Sequence, residues 1–349
     1  MHRSLFVALL GLSTLVLSGC CMQVRVCCKT RCCPKRATPA PEAGPTEVPE
    51  AKPAEVKEAA PKARPEALYD GNAGKPESLL VAADSWQDAD LVAFGELHGH
   101  PVGARHQLAL LKAMAEQDRP VAMAMEFLER DDQAAVDAYL AGEIDHETFQ
   151  NRAGMKPPYG RTHGPLMEYC KDHDIPVIAA NAPRRLVSAY RKQDEDYGTW
   201  KASLPAADQA FLPEETSVLD DEYSAKFMRL MGEARGTSFF RSQSLWDDSM
   251  AEAMVDFKAD HPDHRILFIV GAFHVTKGLG TITKYRMRRG KDEVRILTMT
   301  MDADPSLGFK DHDLGLGDLV LKVPQKTRAR RKHGTTPKAA PKATKAPQS

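Results

Sequence analysis

The chain has 349 residues, and 47 Lys and Arg stand against 48 Asp and Glu for a formal net charge of −1. That balance gives no reason to expect nucleic acid or another polyanion as a partner. Six of the seven cysteines fall within the first 33 residues, so disulfides cannot hold the remainder of the chain together.

Residues 1–19 read as an export signal, with Arg3 as a basic start, an apolar run from Leu5 to Leu17 and then small residues. The run is short for a bilayer span. Leu17-Ser18-Gly19-Cys20 matches a bacterial lipobox, in which small residues precede the thiol that receives lipid. The expectation is a lipoprotein anchored in the bilayer through acylated Cys20, exported to the bacterial envelope. Cys21, not Asp, follows the lipid site, which points toward the outer membrane.

Residues 20–66 read as a tether. Cys21, Cys27, Cys28, Cys32 and Cys33 crowd among basic residues. Their doublets lack the spaced pairs of a zinc ribbon, and disulfides or thiol adducts suit an oxidising compartment better. From Pro34 to Pro65 the chain is rich in Ala, Pro, Glu and Lys and poor in large apolar residues, the composition of a disordered linker.

Residues 67–324 mix apolar and charged side chains in globular proportion. Short apolar runs at Leu91 to Phe94, Val121 to Met125, Val177 to Ala180, Ile266 to Val270 and Val294 to Met299 predict strands. Helical patterns lie between them, near Pro101 to Gln117, Asp131 to Leu140, Pro165 to His173 and Phe239 to Lys258. In the last, Trp246, Met250, Met254 and Phe257 recur at helical spacing, the pattern of a stripe facing the core. Residues 194–236 have weak periodicity and read as an inserted helical lid or cap. The alternation predicts an α/β fold with a largely parallel central sheet flanked by helices. Residues 325–349 form a basic, disordered tail whose partner, if it has one, is an anionic envelope surface.

In parallel sheets ligands gather beyond the carboxyl ends of the strands. The first run ends in Gly95-Glu96-Leu97-His98-Gly99-His100, the second in Glu126-Phe127, the third in Asn181-Ala182-Pro183-Arg184 and the fourth in Gly271-Ala272-Phe273-His274. Glu96, His98, Glu126 and His274 are the principal site candidates, because imidazole with carboxylate serves both metal ligation and acid–base chemistry. A divalent metal on His98, Glu126 and His274 is one reading. A lone His after a strand is ordinarily a structural residue, and it is the repetition over successive strand ends that argues for a site. Ala122 and Ala124 share a face with Glu126 and would let a helix or cofactor approach.

Secondary candidates are His100, Asn181, Arg184, Gln243 and Asp247. Gln243 and Asp247 are four apart on a helix, where they would face either the crevice or water. His100 either completes a His-x-His pair with His98 or simply faces solvent. Tyr159 and His163, in a Pro- and Gly-rich stretch with Arg161, are candidates for haem ligation beside a propionate partner. The same stretch would also read as a surface loop without function.

Taken together, Gly95-Glu96-Leu97-His98, Met125-Glu126-Phe127, Asn181-Ala182-Pro183-Arg184, the Gln243 to Ala251 helix and Gly271-Ala272-Phe273-His274-Val275 resemble the ChaN-like haem-binding uptake family. The resemblance spans roughly residues 80–300 and extends to a superfamily with Tiki proteases and erythromycin esterases. It implies an α/β fold, export as a lipoprotein, and haem as the cofactor in haem or iron uptake. In the hydrolytic relatives the histidine of the first motif, the glutamate of the second strand and the late histidine work together. Carried over, these are His98, Glu126 and His274, so a metal-dependent or acid–base hydrolase of ester or peptide bonds is the alternative. One departure is His163-Gly164-Pro165-Leu166, where relatives often carry Tyr before Pro-Leu. That shifts the question of ligation to His163 or Tyr159.

Overall fold

The computed structural model describes residues 66–325 apart from 157, 158 and 305. Cys20, the cysteine cluster, most of the tether and nearly all of the basic tail lie outside the described residues.

Among the described residues, the strands are β1 (Ala67–Asp70), β2 (Leu91–Glu96), β3 (Val121–Glu129), β4 (Val177–Asn181), β5 (Arg265–Gly271), β6 (Val294–Asp302) and β7 (Leu319–Pro324). They form one sheet in the order β1-β7-β6-β2-β5-β3-β4. Every neighbouring pair is parallel except β1 with β7. The expected α/β class and largely parallel sheet are therefore present. β2 and β5 are buried along their whole length, which is why they appear in sequence as unbroken apolar runs. The edge strand β1 and its neighbour β7 were not predicted. β1 is only four residues long and half-buried throughout, so it carries no distinct periodicity.

Helices cover both faces. They are α1 (Leu79–Ser85), α2 (Pro101–Ala115), α3 (Gln133–Leu140), α4 (His146–Arg152), α5 (Tyr159–Thr162), α6 (Gly164–Asp172), α7 (Arg184–Arg191), α8 (Tyr197–Ala202), α9 (Ala206–Gln209), α10 (Glu222–Met231), α11 (Glu233–Asp260) and α12 (Thr281–Arg288). The region expected to form a lid contains α8, α9 and α10. The supposed loop around Tyr159 is instead the short helix α5, with Tyr159 and Thr162 buried.

β3 shows how alternation sorts side chains between the faces. Met123 and Met125 join Val92, Phe94, Leu110 and Met167 in one core, while Ala122 and Ala124 join Met250, Ala251 and Met254 in the other. The small side chains thus admit helix α11, and the Trp246, Met250, Met254 and Phe257 stripe packs against the sheet as its spacing requires. Cys170 is buried in the first core as a free thiol.

Candidate functional site

Gly271 fixes the geometry of the strand ends. It closes β5, which lies between β2 and β3, and it pairs in register with Glu96. Its backbone N–H donates to Glu126 Oε2 at 2.5 Å. A methyl group at this position would lie 2.7 Å from His98 Cε1 and 3.2 Å from Glu126 Oε2. The missing side chain is what allows an imidazole from the β2 end and a carboxylate from β3 to close over the same backbone atom.

Glu96 is buried and saturated with donors. Its Oε2 accepts from Gln107 Nε2 at 2.6 Å and faces His163 Nε2 at 2.8 Å, while Oε1 lies 3.3 Å from His98 Nδ1. Burial pushes the carboxyl group up, but His163, His98 and Gln107 outweigh burial and hold it at about 2. His98 is held above its ordinary value, mainly by the Glu96 hydrogen bond and against partial burial. Its side chain is 59% exposed.

The second half of the site is deeper. His274 is buried, with Nδ1 2.6 Å from Asp247 Oδ1 and Nε2 3.6 Å from Glu126 Oε1. Burial alone would push this imidazole down, but the charges of Asp247 and Glu126 raise it to about 9. Asp247 is 0% exposed and also accepts from Tyr223 and Thr281 hydroxyls at 2.8 and 2.6 Å. Gln243 donates to Tyr223 at 2.7 Å. Gln243 and Asp247 therefore face inward, and the solvent-facing alternative is excluded.

The structure thus brings Glu96, His98, Glu126 and His274 together with Gln243 and Asp247. Asn181 supports them from β4, donating to the Glu126 carbonyl at 3.2 Å. Arg184 instead lies at the mouth of a cavity, largely exposed beside Glu129. His100 is buried and does not face solvent. It caps α2, accepting from the Val102 N–H at 3.3 Å ahead of Pro101 at the first helical position.

The metal reading of His98, Glu126 and His274 is not supported. Among the described residues no group of three or more His, Cys, Asp or Glu side chains is arranged to hold a metal ion. His274, set between the acids Asp247 and Glu126, favours its protonated form, which offers no lone pair to a metal.

Two cavities open on this edge, and His98 lines both. The larger, about 710 Å³, runs along Phe127, Met155, Tyr159 and His163, with Arg152, Lys156 and Arg184 among its polar residues. Phe127 stacks on His163 with centroids 4.2 Å apart. Among the described residues the buried Tyr159 hydroxyl has no hydrogen-bond partner, and burial pushes its phenol well up. The smaller, about 350 Å³, is bounded by His274, Gln243 and apolar side chains from α10. Sequence reading missed Gln107, Tyr223 and Thr281, which orient the site. Gln107 is a buried polar residue on the inner face of α2, and that face was the one signal that could have found it.

A family described as haem-binding uptake, Tiki superfamily, ChaN matches residues 82–284. Among solved structures, cofacial heme binding to ChaN of Campylobacter jejuni is similar at 15% identity and TM-score 0.55, covering 73% of this chain and 96% of that one. An erythromycin esterase mutant in its open conformation aligns at 11% identity and TM-score 0.41, covering 67% of this chain and 77% of that one. No curated protein matches the sequence.

Proposed function

Since the chain belongs to the haem-binding uptake ChaN family of the Tiki superfamily, we propose that it holds haem in the larger cavity, with His98 as the iron ligand, at a lipid-anchored station for haem or iron uptake. The observation that carries this reading is His98 itself. Its Nδ1 is committed to Glu96, its side chain is 59% exposed, and among the described residues Nε2 has no hydrogen bond, which leaves it to a ligand. A ligating histidine is ordinarily oriented by a carboxylate on its other nitrogen, and Glu96 occupies that position.

The surroundings fit a macrocycle with carboxylate arms. Phe127, Met155 and Tyr159 give an apolar and aromatic wall. Arg152 and Lys156 are exposed on the same cavity and have no ion pair among the described residues, so they are available to propionates. His163, an alternative ligand from the sequence, is less suited because Glu96 already holds its Nε2. Tyr159 keeps a phenol at the cavity wall that is unpartnered among the described residues, but the burial that raises its pKa opposes the phenolate form. When bound, haem supplies an iron centre that the protein carries, and the polypeptide supplies the ligand, the wall and the cations. The family match favours this reading over hydrolysis.

Lipid attachment at Cys20 completes the proposal, supported by the lipobox sequence. Replacing Cys20 with Ala should move the protein from the membrane fraction to the soluble envelope fraction and abolish incorporation of labelled palmitate. Unchanged sedimentation of the variant would remove the anchor from the account. For haem, titration of hemin should give a saturable Soret change that weakens at least about tenfold in His98→Ala, and equal affinity in the two proteins would contradict the ligand assignment.

A further inference from the structure

The haem reading leaves the smaller cavity unused. It shares His98 with the larger cavity and has Phe227, Leu230, Met231 and Phe273 as walls, with His274 and Gln243 among its polar residues. Leu230 is 67% exposed and Met231 40% exposed, so two large apolar side chains stand at the rim where solvent would meet them. Such a site, apolar in its walls with a few convergent polar groups, is the usual form of a small-molecule pocket.

We propose that this cavity is a second binding site, for a neutral apolar molecule that ends in a carbonyl group.

The polar groups decide the head. Three carboxylates, Glu96, Glu126 and Asp247, stand around two imidazoles, His98 and His274. An anionic head finds no unbalanced cation, because the His274 imidazolium is already paired with Asp247 and Glu126, and its desolvation would go uncompensated. A cationic head fares no better. The carboxylates are already engaged, with Glu96 held by three donors, Asp247 by three and Glu126 by the Gly271 N–H. Gln243 Nε2 is already engaged by Tyr223 and His274, so the donor on the cavity side is the His274 imidazole, which suits an uncharged oxygen acceptor. His274 is well placed for this role, because Asp247 fixes its Nδ1 and leaves Nε2 as the edge nearer Glu126.

The tail follows from the walls. Phe227 belongs to an aromatic cluster with Tyr223 and Phe240, and Phe273 packs against it. These rings make the inner part rigid, while Leu230 and Met231 on α10 provide an open apolar entrance. A flexible alkyl chain fits that gradient from wet rim to packed floor.

The test uses the chain from Cys20 onward carrying Cys20→Ala, free of haem and detergent, so that failure here leaves the haem assignment untouched. Octanamide, octanoate and octylammonium are titrated calorimetrically. Octanamide should bind saturably at one site, and the two charged compounds at least about tenfold more weakly. Leu230→Lys and Met231→Lys, both at exposed positions, should each weaken octanamide by a similar factor with the melting temperature unchanged. Absence of saturable octanamide binding, equal binding of all three compounds, or undiminished binding in both rim variants would overturn the proposal.

Discussion

His274 Nδ1 lies 2.6 Å from Oδ1 of Asp247, a carboxylate with no solvent exposure that also receives the hydroxyls of Tyr223 and Thr281. With Glu126 3.6 Å from the other nitrogen, the imidazole sits between two acids and is raised from 6.5 to about 9. The raised value means that His274 contributes stability that is fully present below pH 6.5 and is lost as pH rises through 9. Histidine NMR should give a midpoint near 9 for this ring. Asp247→Asn removes the closer acid but neither the burial nor Glu126, so the midpoint should fall from about 9 by more than about one pH unit. A midpoint that stays near 9 in the variant would show that Asp247 does not hold the proton.

Glu96 behaves in the opposite sense. Its carboxyl group is lowered from 4.5 to about 2, so its contribution is present above pH 4.5 and is lost as pH falls toward 2. The shift corresponds to roughly 3 kcal/mol at neutral pH. Denaturant unfolding followed from pH 6 to pH 2 should show a steep loss in the native protein and a flatter one in Glu96→Gln. Parallel curves would mean that the His163 and His98 contacts do not stabilise the ionised acid.

Gly271→Ala separates site geometry from folding. Gly271 has φ −61°, a conformation open to alanine, so the backbone itself is not strained. The new methyl group would press on His98 Cε1 at 2.7 Å, and the largely exposed His98 side chain is what can move. Haem affinity should fall by about tenfold or more, while the melting temperature changes by only a few degrees, as expected for about 1 kcal/mol. A variant that binds haem normally would show that the position of His98 over Gly271 is not needed.

Much of this arrangement was legible in the sequence. Fully buried strands such as β2 and β5 are visible as apolar runs, and each is followed by its polar residue because a parallel sheet delivers its loops to one edge. The partners of these residues were not legible. Gln107 lies 11 positions from Glu96, and Tyr223 lies 24 from Asp247 in a stretch with weak periodicity, so only the folded chain brings them together. His98 and His274 looked like equals in sequence. Burial distinguishes them, with one imidazole exposed to a cavity and the other enclosed by acids. No local pattern encodes that difference.

The central claim is that haem iron sits in the larger cavity on His98. An anomalous difference map at the iron edge, from crystals of the haem-loaded protein, tests it most directly. One peak is expected in the cavity lined by Phe127, Met155 and Tyr159, at bonding distance from His98 Nε2. A peak bonded to Tyr159 or His163 with His98 free, or one in the smaller cavity beside His274, would contradict it.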